Sequence, residues 1–188
     1  YDAHGSMFAS RLWWMLRWVG HANVAVLDGG LAAWLTSGGA LSTEVPTRPR
    51  GSITEQPSLT AVVDADKVLA NLSANHQVIL DARAADRFRG ENETIDPVAG
   101  HIPGAKNRWF KDNLQDDGLF KPAAQLRADF NALSANPAST ILQCGSGISA
   151  CHNALAMEIA GLGGAALYPG SWSEWSSDPA RPVATGSA

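Results

Sequence analysis

The 188-residue chain has room for one ordinary domain and a fragment of another. Apolar residues make up 45 %, enough for a buried core and too many for intrinsic disorder. A formal charge of -4 offers no basic face to nucleic acid or an anionic membrane, and two cysteines cannot scaffold a secreted domain, so a reducing, cytoplasmic setting is expected.

Phe8 to Val19 reads as a helix that is apolar around most of its circumference, with Arg11 and Arg17 marking the one wet side. Such a helix needs cover from more than one neighbour. Arg11, Arg17 and His21 also interrupt the longest apolar stretch, Met7 to Leu27, which excludes it as a membrane span. The N-terminus has no signal-peptide pattern, and Tyr1 is not an initiator. Gly20 is placed as the helix C-cap. Val24 to Leu27 is a short unbroken apolar run, expected as a strand buried on both faces, and Leu31 opens another helix. One strand and two helices cannot close a sheet. Residues 1–42 are therefore expected to be the C-terminal remnant of a domain whose missing N-terminal part is supplied as a second polypeptide, covering Trp13, Trp14 and Trp18.

Residues 43–58, with Pro46, Pro49 and Pro57, read as an extended linker. From Leu59 short apolar strands alternate with helices. Strands are predicted at Ala61 to Val63, Val78 to Asp81, Thr140 to Gln143 and Ala165 to Tyr168. Helices are predicted from the Asp64 cap to Ala70, from Pro122 to Leu133 and from Ser149 to Ala160, with a loop-rich stretch from Arg83 to Asp117. This alternation means parallel βαβ construction over 59–188. The two ends also repeat one another. Leu27-Asp28-Gly29-Gly30 to Trp34 parallels Tyr168-Pro169-Gly170-Ser171 to Trp175, 141 residues apart, and Tyr1-Asp2 parallels Gln143-Cys144 at 142.

The run from Cys144 to Ala150, Cys-Gly-Ser-Gly-Ile-Ser-Ala, lies between an apolar strand and a helix. Ligands of parallel sheets bind beyond the carboxyl ends of strands, where Cys144 sits. Its glycines permit a tight turn, and the following helix aims free N–H groups back at it. Lowering a cysteine pKa by two units takes about 2.7 kcal/mol, more than the ~2 kcal/mol of a helix terminus alone. The N–H groups of Gly145, Gly147, Ile148, Ser149 and Ala150 are therefore needed together, and Cys144 is expected to be a reactive thiolate nucleophile. Cys151, inside the helix, reads as a packing residue or a resolving thiol.

That loop, with Leu80-Asp81-Ala82-Arg83, Gly100-His101-Ile102-Pro103-Gly104-Ala105 and Gly170 to Trp175, resembles the tandem-domain rhodanese sulfurtransferases over nearly the whole chain. The resemblance implies an α/β fold, a rhodanese-like parallel sheet with helices on both faces. It implies that 59–188 is the catalytic copy, preceded by the remnant of an inactive copy carrying Asp2 where a cysteine would be. It also implies that Cys144 takes a sulfane sulfur as a persulfide and passes it to a small thiol, thioredoxin or cyanide, without metal or organic cofactor. The Cys-Gly-Ser-Gly loop is similar to that of 3-mercaptopyruvate enzymes, whereas Cys-Arg-Lys-Gly is the loop of those that take dianionic thiosulfate. A thiosulfate sulfurtransferase and a non-enzymatic sulfur-carrier or binding module stay open as alternatives.

Within that resemblance, Ser146 is expected to hydrogen-bond the substrate thiol or the departing enolate. Arg83, just past the strand ending in Asp81, is expected to bind the substrate carboxylate. The family's second substrate arginine falls on Asn92 here, leaving Arg87 and Arg89 as its replacements. Asp81 is expected to anchor loop N–H groups and His101 to be a structural turn residue. A related phosphatase loop would carry arginine six residues after the cysteine; Ala150 stands there, which excludes phosphoryl transfer. No histidine shows metal-ligand spacing with the cysteines.

Overall fold

In the computed structural model, which describes residues 1–187, the short apolar runs lie side by side as one parallel sheet. Its strands are β1 (Ala61–Val62), β2 (Val78–Asp81), β3 (Lys106–Asn107), β4 (Thr140–Gln143) and β5 (Ala166–Leu167), in the order β1-β5-β4-β2-β3. The register sets Asp81 beside Gln143 and Leu142 beside Leu167, so the carboxyl ends of the central strands share one edge.

Alternation along the strands supplies a separate core to each face. Leu80, Leu142 and Leu167 pack against α5 (Ala123–Leu133) through Leu126 and Phe130, and against α6 (Ser149–Ile159) through Ala156 and Met157. Ile79 and Ile141 pack on the other face against Val68 of α3 (Ala65–Ala74), Phe88 of α4 (Ala85–Arg89), and Trp172 and Trp175 of α7 (Ser171–Ser177). Burial on both faces is why β2 and β4 read as continuous apolar runs.

The N-terminal helix, α1 (Met7–Trp18), lies on the outer side of α6 and buries Trp13 and Trp14 in the α5–α6 core. Between sheet and α1, α6 is covered over Ala150 to Asn153 and meets solvent only near its end, at Glu158 and Ile159, so His152 and Asn153 are buried with its apolar residues. The opposite side of α1 stays open: Phe8, Leu12 and Trp18 are 47, 59 and 50 % exposed. A short α2 (Gly30–Thr36) follows. Linker residues 43–58 form no helix or strand and are exposed, tied to α1 by the Gln56 N–H to the Val19 carbonyl at 3.0 Å.

Several expectations need correction. Val24 to Leu27 is not a strand: it pairs with no strand among the described residues, and a lone extended segment has no ladder to join. Val24 and Val26 instead pack sideways on the core that holds Trp13 and Phe120. Helix α3 runs to Ala74 rather than Ala70, because Asn71 stays helical and accepts the N–H groups of His76 and Gln77, and Asn75 at φ 50° ends the helix. The stretch from Arg83 to Asp117 is more ordered than its composition suggests, holding α4, β3 and a 3-10 turn at Phe110–Asn113. No helix among the described residues is long and apolar enough to cross a membrane.

Candidate functional site

Strand β4 delivers Cys144 to the carboxyl edge of the sheet, with α6 beginning five residues later. Gly147 makes the turn at φ +74°; a side-chain carbon there would lie 2.5 Å from the Pro169 carbonyl, so only glycine fits. Helix α7 takes up the opening of the loop. The Ser171 hydroxyl accepts the Cys144 N–H at 3.1 Å and donates to the Tyr168 carbonyl at 2.9 Å. The Trp172 and Ser173 N–H groups donate to the Cys144 and Gly145 carbonyls at 3.0 and 2.9 Å. With those carbonyls engaged, none of the six N–H groups from Gly145 to Ala150 donates to a protein acceptor among the described residues. Cys144 is buried, Ser146 is exposed, and Gly145, Ile148 and Ser149 are half-buried.

The matching loop near the N-terminus shows what such a backbone does with an anion in place. One Asp2 oxygen accepts the N–H groups of His4 and Ser6 at 2.7 and 2.9 Å, and the other those of Phe8 and Ala9 at 2.8 and 2.7 Å. Burial works against ionisation of Asp2, but these four N–H groups outweigh it and hold the carboxyl below the usual carboxylate range.

The arginines are placed differently from expectation. Arg83 is buried, and its guanidinium grips Asp81 through Nε and Nη2 at 3.0 and 2.7 Å. It also donates to the Gly100 carbonyl at 2.7 Å and to Glu93 at 3.4 Å, and stacks on Trp172 at 4.8 Å. A guanidinium so engaged has no approach for substrate, and Arg83 is corrected to a scaffold residue. Asp81 accepts one loop N–H, that of Arg83 itself, so its role as an anchor is narrower than expected. Arg89 pairs with Glu91 at 2.6 Å and lines a different groove, with Phe88, Lys106 and Leu133.

Arg87 is the one that meets the cysteine loop. Its Nη1 lies 3.8 Å from where a Gly145 side chain would start, while Nε and Nη2 hold Glu93 and, at 3.3 Å, Asp96. Burial opposes ionisation of Glu93, but Arg87 and the N–H groups of Ile95 and Asp96 keep it below the ordinary range. Asp96 also accepts the Ser173 hydroxyl at 2.6 Å, joining Arg87 to the helix that holds the loop. At this end of the sheet two guanidinium groups, Arg83 and Arg87, face three carboxylates, Asp81, Glu93 and Asp96.

His101 is buried, stacked on Phe88 at 3.8 Å, with Nδ1 2.8 Å from the Phe88 carbonyl, as a turn residue would be. The Cys151 thiol donates to the Gly147 carbonyl at 3.2 Å, and burial pushes it up to about 12, so it is a packed, protonated group. Sequence reasoning missed Ser171 and Asp96. Ser171 was within reach of it: a strand-to-helix turn on β5, next to β4, must meet the turn on β4.

The rhodanese-like domain family matches residues 64–178. A "Probable 3-mercaptopyruvate sulfurtransferase" of Pseudomonas aeruginosa is 49 % identical over 99 % of this chain and 66 % of its own length. A thiosulfate sulfurtransferase of Mus musculus is 37 % identical over 93 % of this chain and 60 % of its own. The solved structure of Tum1 from Saccharomyces cerevisiae superposes with a TM-score of 0.84 at 23 % identity, over all of this chain and 69 % of that one. This chain thus spans about two thirds of the length of the relatives it matches.

Proposed function

Given that the chain belongs to the rhodanese-like domain family, we propose that it is a sulfurtransferase that carries sulfur on Cys144, with 3-mercaptopyruvate as the donor. The observation that carries this reading is that the N–H groups of Ser146, Ile148 and Ala150, the counterparts of three of the four that hold the Asp2 carboxylate, donate to no protein acceptor among the described residues. Fixed main-chain donors aimed at one position favour negative charge there without reorganisation. They favour the thiolate first and the persulfide anion afterwards.

The Cys144 thiolate attacks the thiol sulfur of the donor. A sulfur–sulfur bond forms, the carbon–sulfur bond breaks, and its electron pair leaves on the enolate of pyruvate. The enolate takes a proton to become pyruvate, the exposed Ser146 hydroxyl relaying it, and the enzyme is left as Cys144–S–SH. An acceptor thiolate then attacks the outer sulfur, leaves as its own persulfide and restores the Cys144 thiolate. Cyanide leaves as thiocyanate, with one proton released.

Arg87 faces the donor carboxylate, in the role expected of Arg83. The open side of α1 and residues 1–42 fit the tail of a first domain copy whose remaining part would cover Phe8, Leu12 and Trp18, whereas Trp13 and Trp14, expected to need the same cover, are buried within this chain.

Single-turnover loading read by intact mass tests the proposal. Cys144 gains one sulfur atom from 3-mercaptopyruvate faster than from thiosulfate, and Cys144→Ser gains none. Arg87→Met requires roughly tenfold more 3-mercaptopyruvate for half-maximal loading, the loss of one charge-assisted contact. Faster loading from thiosulfate makes the chain a thiosulfate sulfurtransferase, and no loading from either donor makes it a non-enzymatic module.

A further inference from the structure

Helices α1 and α6 come from opposite ends of the chain, lie against each other, and each sends one side chain into the other's loop. His152 of α6 donates its Nε2–H to the Gly5 carbonyl at 3.0 Å. Arg11 of α1 brings Nη1 to 3.3 Å from the Gly147 carbonyl and 3.6 Å from the Cys151 sulfur. Gly5 and Gly147 are the same position of the repeat, 142 residues apart like Asp2 and Cys144, and both are left-handed, at φ +64° and +74°. One peptide is therefore gripped in each loop, from the helix that follows the other loop.

The two grips differ in charge. His152 is neutral: Nδ1 accepts from the Asn113 side chain at 3.2 Å, and burial holds its pKa down to about 4. Phe110 and Phe120 pack on its ring. Arg11 is a permanent cation that pairs with no carboxylate among the described residues, and its guanidinium lies over Trp14 at 5.5 Å. A cation on the Gly147 carbonyl polarises the Gly147–Ile148 peptide and makes the Ile148 N–H a stronger donor. The equivalent N–H in the first loop, that of Ser6, is one of the four that bind Asp2.

We propose that Arg11 is a positioning residue for Cys144, fixing the Gly147 turn and strengthening with its unpaired charge the main-chain donors that hold a thiolate or persulfide. The inference rests on reading Cys144 as the sulfur-carrying nucleophile. It gives the first segment a part in the chemistry of the second loop, and the same position of the repeat a cationic donor where the anion is reactive and a neutral one where it is inert.

The test follows alkylation of Cys144 by iodoacetamide from weakly acid to alkaline pH, read by peptide mass, in the full chain and in Arg11→Met, Arg11→Lys and Arg11→Gln, with thermal melting alongside. The midpoint moves to higher pH by about half a unit to one unit in the Met variant, and Lys keeps most of the original value. Gln retains a donor without charge and shifts with Met, so it serves if Met fails to fold. An unchanged midpoint in a folded Met or Gln variant overturns the proposal. Sulfur loading of the unaltered chain is scored separately: if Cys144 takes no sulfur while the Arg11 dependence holds, the sulfurtransferase reading falls and the assignment of Arg11 stands.

Discussion

In the loop that follows Tyr1, four main-chain N–H groups close on the Asp2 carboxylate, at 2.7 to 2.9 Å. In the loop that follows Gln143, the counterparts of three of these, the N–H groups of Ser146, Ile148 and Ala150, are claimed by no protein acceptor among the described residues, the fourth, that of Cys151, donates to the Ile148 carbonyl at 3.1 Å, and a cysteine stands where the carboxylate would be. The two loops share a left-handed glycine, a helix starting at the same offset and a grip from the opposite helix. They differ in whether the anion is already present. A cradle filled by its own carboxylate stabilises the fold and has nothing left to offer a reaction. Under the proposed function, the second loop keeps its donors for charge that arrives with substrate.

The largest expected effect comes from converting the second loop into the first. Cys144→Asp loses sulfur loading entirely, yet melts no lower than Cys144→Ala, because its carboxylate takes up the free N–H groups. Intact mass with each donor and a thermal scan check both halves, and a melting temperature well below that of the alanine variant breaks the comparison.

The two glycines sharpen it. Alanine at Gly147 meets both left-handed strain and the fixed Pro169 carbonyl, and should cost about 3 kcal/mol. Alanine at Gly5 meets the same strain but only the end of the Leu114 side chain, at 2.8 Å, which can move, so about 1 kcal/mol is expected. Urea unfolding of the two variants gives the difference directly.

The smallest and most gradual effect is on pH. Folded His152 stays neutral down to about pH 4, whereas in the unfolded chain it takes up a proton near the ordinary histidine value of 6.5. Between those values the unfolded state binds more protons, so the stability due to this site is complete above 6.5 and declines as pH falls toward 4. The loss is at most about 3 kcal/mol. His152→Gln keeps a donor for the Gly5 carbonyl and removes the titration. Denaturant curves for the two proteins should converge as pH falls, and a constant gap would sink the assignment.

Legibility in the sequence followed the range of the interactions. Strands β2 and β4, helices α5 and α6 and the glycine turn after Cys144 are local patterns, and they stand within a residue or so of where the apolar runs and caps put them. The pairing of the two loops was also legible, since a repeat is a property of the chain alone. Val24 to Leu27 was misread because an apolar run cannot say whether a neighbouring strand exists. Arg83 was misplaced for a related reason: adjacency to a strand end puts its backbone at the site, while the side chain turned back to Asp81 two residues earlier.

What the sequence determined by itself was the kind of device: a βαβ sheet, a cysteine at a strand end, glycines for the turn and a duplicate of that turn holding aspartate. These depend on backbone preference and on spacing of a few residues. What only the tertiary structure decided was which charges attend the device. Arg87 rather than Arg83 meets the loop, Ser171 holds the Cys144 N–H, and Arg11 crosses 136 residues of sequence to reach Gly147. Charge–charge and hydrogen-bond energies depend on distances of a few ångströms between groups far apart in the chain, and those distances exist only after the helices have packed.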